Sequence, residues 1–190
     1  MFYVFIIIAY LLGSISMSII QGKLAGVDIK KEGSGNAGTT NTLRVLGKKA
    51  AVITLVCDVA KGVIAVLLGR ISGDTCAYIC ALAVFAGHIW PVFFKFRGGK
   101  GVATAFGAVL AVNWKLALLC LAVVAVLTVV TKRMSVGSLF GAAALPVLSV
   151  FLERPFWPYA AVIGIVIIIK HRSNIKRLIK GEEPPISFKK

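Results

Sequence analysis

The chain has 190 residues, 58% of them hydrophobic, with 22 lysines and arginines against seven acidic residues and a mean hydropathy of +0.91. This excludes a soluble domain of such size and points to an all-α, polytopic integral membrane protein. A formal charge of +15 raises nucleic acid as a partner, but the bases flank apolar segments without interleaved stacking aromatics; topology and anionic membrane lipid account for them.

A helix crossing the hydrocarbon needs about 20 apolar residues. In chain order the predicted spans are 2–20, 50–68, 76–94, 116–131, 136–152 and 156–169, with a short candidate at 102–112. The first carries no basic leader and no cleavage signal before Gln21, so it reads as a retained anchor. Pro91 and Pro146 fall inside the spans at 76–94 and 136–152, where kinks are expected. Gly137 and Gly141 form a GxxxG pair suited to close intramolecular packing. Cys57, Cys76, Cys80 and Cys120 lie in spans without metal-ligand or redox spacing and read as small packing residues, so neither a metal nor a cofactor is implied.

Charge asymmetry decides the short candidate, because lysines and arginines in short loops stay cytoplasmic. If 102–112 spans, 18 of the 22 bases fall on one side, in the loops 21–49, 95–101 and 132–133 and in the C-terminal stretch. Only Arg70, Lys115 and Arg154 face the other side, and Lys61 lies within a span. If the segment is re-entrant, the balance becomes 11 against 10. The predicted topology is therefore seven transmembrane helices, N-terminus outside and C-terminus cytoplasmic, in a single membrane-embedded domain over 1–190.

Three polar islands interrupt the apolar pattern, and this topology sets them all on the cytoplasmic face. The first, 33–44, is glycine-rich, with Ser34, Asn36, Thr39, Thr40 and Asn41 ending in Arg44. Glycines let successive amides converge and Arg44 offers a phosphate-matched fork, whereas the plain alternative is a loop whose polar residues cap a helix near Thr39. No Walker A spacing is present. In the second, Gly98, Gly99, Lys100 and Gly101 open the span at 102–112, as at a helix N-terminus that receives an anion; the alternative is a positive flank with a snorkelling lysine. The third continues from the last span, with His171 and Asn174 three residues apart on one helical face, a weak signal alone. Within the second span, Asp58 and Lys61 have the spacing of a structural ion pair, the alternative being a role in holding the cytoplasmic loops or the site, and His88 reads as a helix-packing hydrogen-bonder.

Taken in order, GSGNAGTTNTLR, GHIWPVFFKFRGGKGVAT and HRSNIKRLIKGEE, over 33–44, 87–104 and 171–183, closely resemble the three motifs of the bacterial acyl-phosphate:glycerol-3-phosphate acyltransferases. The resemblance covers the whole chain. It implies a multi-pass enzyme of the bacterial inner membrane that moves an acyl group from acyl phosphate to glycerol 3-phosphate, giving lysophosphatidic acid and phosphate at the start of phospholipid synthesis. It also implies a catalytic set of Ser34, Arg44, Lys100, His171 and Asn174, supported by Asn36, Thr39, Thr40, Asn41, Gly98, Gly99 and Gly101. A soluble enzyme that makes acyl phosphate is a candidate partner for the cytoplasmic bases. The His-x4-Asp arrangement of other glycerolipid acyltransferases is absent, since Phe93 follows His88 and Lys176 follows His171 at that spacing. The residues alone leave one reading from another class, a transporter of a small organic phosphate, which Asp58 and Lys61 would serve.

Overall fold

Helix is the dictated choice for apolar stretches that must satisfy every backbone group internally. The structure, a computed structural model, describes residues 1–186; Lys189 and Lys190, two of the bases in the charge count, lie outside the described residues. Ten α-helices are present among them: α1 Phe2–Gly13, α2 Met17–Leu24, α3 Thr39–Leu46, α4 Lys48–Arg70, α5 Asp74–Ile89, α6 Val102–Val112, α7 Trp114–Thr131, α8 Met134–Leu152, α9 Trp157–Lys170 and α10 Arg172–Ile179. Among the described residues, five segments are long and apolar enough to cross a membrane: Phe2–Leu24, Lys48–Arg70, Asp74–Phe94, Trp114–Thr131 and Met134–Leu152. At 1.5 Å per residue the eleven residues of α6 reach only about 16 Å, half of a ~30 Å hydrocarbon core.

The chain folds as two compact units, the first over Met1–Val112 and the second beginning at Asn113. In the first, α4 packs against α5 and α6, and α1 against α4 and α5. Glycines bring these backbones together. A Cβ on Gly62 of α4 would strike the Thr104 carbonyl oxygen and lie 2.7 Å from Ala108 N, and one on Gly107 of α6 would strike Val59 O. Gly13 and Gly87 play the same reciprocal part between α1 and α5. Lipid supplies no hydrophobic drive between helices, so close approach and dispersion hold them together.

Two expectations change here. The apolar run 2–20 is not one helix but two, broken over Ser14–Ser16, and Lys61 reaches into the break from α4. Pro91 does not kink α5; the helix ends at Ile89, and Pro91 starts a 3-10 turn over Val92–Phe94.

In the second unit α8 packs on α7 and α9. The GxxxG pair faces α7: a Cβ on Gly137 would strike Thr128 Oγ1 and Val124 O, and one on Gly141 would lie 2.5 Å from Val124 Cγ2. Pro146 is carried inside a continuous α8. The chain after α9 does not run on as one helix, because it turns at His171 into the short α10.

Candidate active site

The loop between α2 and α3 is built around one side chain. Asn41 donates through Nδ2 to the carbonyls of Ile29 (3.0 Å) and Glu32 (3.1 Å), and its Oδ1 accepts from Ser34 N (2.7 Å) and Ser34 Oγ (3.2 Å). Gly33 and Gly35, at φ +59° and +69°, supply the left-handed turns that wrap the chain around it. Buried Ile29 and Ala37 anchor the loop on Ile19, with Val45, Leu46 and Phe94 packed against them. Thr42 Oγ1 bonds Ser18 Oγ (3.0 Å) and donates to Gly38 O (3.1 Å), tying α3 to α2. Asn41, singled out by the sequence as a ligand donor, thus spends both ends of its amide on the loop.

What this leaves towards a ligand is Ser34, exposed at the loop's outer edge, and the N-terminal turn of α3. That helix starts at Thr39 with Gly38 as its N-cap and no side-chain cap bond. Thr39 Oγ1 is buried with no hydrogen-bond partner among the described residues. A buried hydroxyl without a partner is costly unless something else satisfies it. Thr40 and Arg44 stand one turn apart on α3, both half-buried, and Asn36 lies alongside, its Nδ2 2.9 Å from where a Gly38 Cβ would sit.

The second island is laid directly on the end of α5. Lys95 and Phe96 both have positive φ, 54° and 57°, a conformation costing roughly 1–2 kcal/mol per non-glycine residue. Phe96 N and Phe94 N donate to Pro91 O, Gly98 N to Ile89 O (3.1 Å) and Gly99 N to His88 O (3.1 Å). Gly98 and Gly99, expected as amide donors to a ligand, therefore direct their N–H groups inward and serve to shape the loop. Side chains are excluded there: a Cβ on Gly98 would strike His88 O, and one on Gly99 would strike His88 Nε2 and stand 2.5 Å from Ala37 O. Gly101, at φ +84° against the Phe85 ring, turns the chain into α6, whose first-turn amides have no partner within the helix. Lys100 is half-buried beside them.

Gly99 thus abuts Ala37, and the first two islands are neighbours. Lys30 spans the same junction, its Nζ 3.5 Å from Phe94 O, while Lys23 lies over the Phe94 ring at 5.5 Å. Burial holds the Lys30 amine below its ordinary pKa, and the nearby Arg97 and Lys23 charges add to this against the opposing pull of Asp28. Cations gathered around one half-buried amine are a setting that welcomes an anion. Lys23 and Lys30 entered the sequence reading only as topology signals.

Beneath these loops lies a buried cluster. Lys61 Nζ is 2.8 Å from Asp58 Oδ1, 2.9 Å from His88 Nδ1, and 3.1 and 2.9 Å from the carbonyls of Gly13 and Ile15 at the break after α1. Asp58 Oδ1 also lies 3.3 Å from His88 Nδ1. The expected ion pair forms, and the expected packing histidine completes it.

In the second unit, His171 and Asn174 are both buried at the start of α10. His171 Nδ1 donates to Ile167 O (2.8 Å), since a carbonyl can only accept. Asn174 Nδ2 donates to Glu183 Oε1 (2.6 Å), whose Oε2 accepts from Arg177 Nε (2.7 Å). Gly181, at φ +73°, folds the chain back for this contact, and Arg133 Nε donates to the Glu183 carbonyl (3.1 Å). Burial pushes the Glu183 carboxyl up, but the bonds from Asn174 and Arg177 and the Arg177 charge hold it below the usual carboxylate value. The sequence held Glu183 within the third motif without giving it a role.

Comparison with known proteins places this geometry in context. A family model described as glycerol-3-phosphate acyltransferase matches residues 3–181. A glycerol-3-phosphate acyltransferase from Clostridioides difficile is 46% identical, over 97% of this chain and 95% of that relative. One from Neisseria gonorrhoeae is 42% identical, over 96% of each. The crystal structure of PlsY (YgiH), an integral membrane glycerol 3-phosphate acyltransferase in its glycerol 3-phosphate form, superposes with a TM-score of 0.94 at 38% identity, covering 98% of this chain and 96% of that one. Its lysophosphatidic acid form gives 0.90 at the same identity and coverage.

Proposed function

Because this chain belongs to the glycerol-3-phosphate acyltransferase family, we propose that it transfers a fatty acyl group from acyl phosphate to glycerol 3-phosphate, releasing lysophosphatidic acid and phosphate. It does so as a multi-pass protein with seven crossings and its site on the cytoplasmic face. The observation that carries the reading is the junction of the first two islands, where the start of α3, Thr39 Oγ1, Lys30 and the start of α6 lie around Gly99 and Ala37. The charge count supports the orientation, and the same count assigns His171 and Asn174 to that face.

Both substrates carry phosphate, and the chemistry follows from holding two phosphates close. The acceptor hydroxyl oxygen attacks the acyl carbonyl carbon, an oxyanion forms, the bond to the phosphate oxygen breaks, and phosphate leaves. Arg44, Lys100 and His171 clamp phosphate oxygens. Ser34, Asn174 and the first-turn amides beside Thr39, Thr40 and Gly101 orient the reactants and stabilise the oxyanion, while Asn36, Asn41, Gly98 and Gly99 shape the loops that present them. An acyl phosphate is already activated, so a substrate phosphate oxygen suffices to take the hydroxyl proton without a strong protein base. Transport would need mobile charge at mid-membrane, whereas Asp58 and Lys61 are spent on each other, His88 and the α1 break.

Purified protein given acyl phosphate and glycerol 3-phosphate forms lysophosphatidic acid; no product from the folded, detergent-solubilised protein would sink the reading. His171→Ala loses phosphate-substrate affinity and rate together. If instead binding is intact and only the acidic limb of the pH–rate profile disappears, His171 is the base.

A further inference from the structure

Asp58, Lys61 and His88 are 2%, 5% and 5% exposed, and no step above uses them. Ionisable groups within membrane helices are costly, and those that persist serve a site or a structure that needs them. The direction in which each atom points shows what this cluster holds. The Lys61 ammonium can only donate, and its four neighbours are Asp58 Oδ1, two backbone carbonyls and His88 Nδ1. Three ammonium protons face these four atoms, and His88 Nδ1 also lies 3.3 Å from Asp58 Oδ1, so the Nδ1 edge of the ring is held against the ion pair in either tautomer, with Nε2 on the opposite edge. That Nε2 edge is turned to Gly99, which has no room for a Cβ against it. The same residue's carbonyl accepts Gly99 N, and the next carbonyl, of Ile89, accepts Gly98 N.

His88 is consequently clamped on both sides, by the ion pair on one edge of its ring and by the glycine loop on the other. We propose that His88 is a positioning residue for the loop Gly98–Gly99–Lys100, and that the buried Asp58–Lys61 pair sets its ring so that loop and Ala37 meet at the correct spacing. The ion pair acts on substrate affinity from within the membrane helices without touching substrate. This rests on the reading of that loop as a phosphate holder.

The test uses two variants in the full-length protein. Asp58→Asn with Lys61→Met removes both charges together, so no single charge is stranded. His88→Asn keeps a polar group that can donate to Asp58 or accept from Lys61 and removes the ring edge beneath Gly99. Each is read by amide hydrogen exchange over residues 96–104 and by separate KM values for the two substrates. Exchange of the Gly98 and Gly99 amides is expected to quicken at least tenfold, with helices elsewhere unchanged. One KM is expected to rise at least tenfold while the other stays within twofold. Unchanged exchange in a folded variant, or equal rises in both KM values, overturns the proposal, because a loosened fold would not discriminate between substrates. If the double variant does not fold, His88→Asn decides alone. A parent protein that makes no lysophosphatidic acid defeats the proposed function, and the exchange measurement still decides the positioning role.

Discussion

A methyl group at Gly99 would be driven into His88 Nε2 and would stand 2.5 Å from the Ala37 carbonyl oxygen, so the second loop would have to lift away from the first. Gly99→Ala is expected to lower kcat/KM by tenfold or more, about 1.4 kcal/mol of transition-state stabilisation, while the purified protein stays folded. Gly26→Ala is the control: φ is +69° there but nothing lies within 4 Å, so the change costs roughly 1–2 kcal/mol of backbone strain and leaves turnover intact. Similar activities in the two variants would show that the contact at Gly99 is not what the site requires. At this scale the sequence shows which residue types gather but not which way they point. Asn41 sits among serines and threonines in a glycine-rich loop, and its spacing does not distinguish an amide that builds the loop from one that meets a ligand. His88 was legible as a hydrogen-bonder, yet its contact with Gly99, eleven positions on, depends on a turn in which two non-glycine residues take positive φ.

Helix positions were legible because a membrane demands long apolar runs; two of the breaks in them were not, because each is supported by a distant residue. Within the run 2–20 only Gly13 and the small residues Ser14, Ser16 and Ser18 mark the place, too weak a signal to end a helix by itself, and the gap after α1 is satisfied by Lys61 from α4, 46 positions from Ile15. The turn between α9 and α10 at His171 is likewise supported from further along the chain, where Glu183 folds back on Asn174 and Arg177. This hook has a predictable acid sensitivity. The native Glu183 carboxyl sits below its unfolded value of 4.5, so its bonds stabilise the fold above that pH and the contribution is lost as pH falls through the lower native value. The thermal midpoint of the detergent-solubilised protein is expected to stay level from pH 7 to about 5 and to fall below about 4.5. Glu183→Gln should start from a lower midpoint at neutral pH and decline less steeply in acid. Parallel acid declines in the two proteins would remove Glu183 from the explanation.

Across the whole molecule, the proposed orientation rests on a lopsided charge, and α6 is where it is most exposed to test. Its eleven residues are too few to cross alone, yet treating it as a crossing is what collects 18 bases on one face. The two facts are compatible because irregular backbone is tolerated at membrane depth where protein buries it, and Gly99 and Gly101 just before α6 are buried. Single cysteines in a background lacking Cys57, Cys76, Cys80 and Cys120 decide the matter through an impermeant maleimide applied to intact cells. With α6 crossing, exposed reporters at Thr75, Lys115 and Arg154 are labelled from outside, and those at Lys49, Lys132 and Lys180 only after lysis. With α6 re-entrant, Thr75 and Lys49 behave as before, but Lys115 and Arg154 become protected while Lys132 and Lys180 are labelled from outside. That pattern would put the third motif on the face opposite the first two, and His171 and Asn174 could then take no part in a cytoplasmic phosphate site.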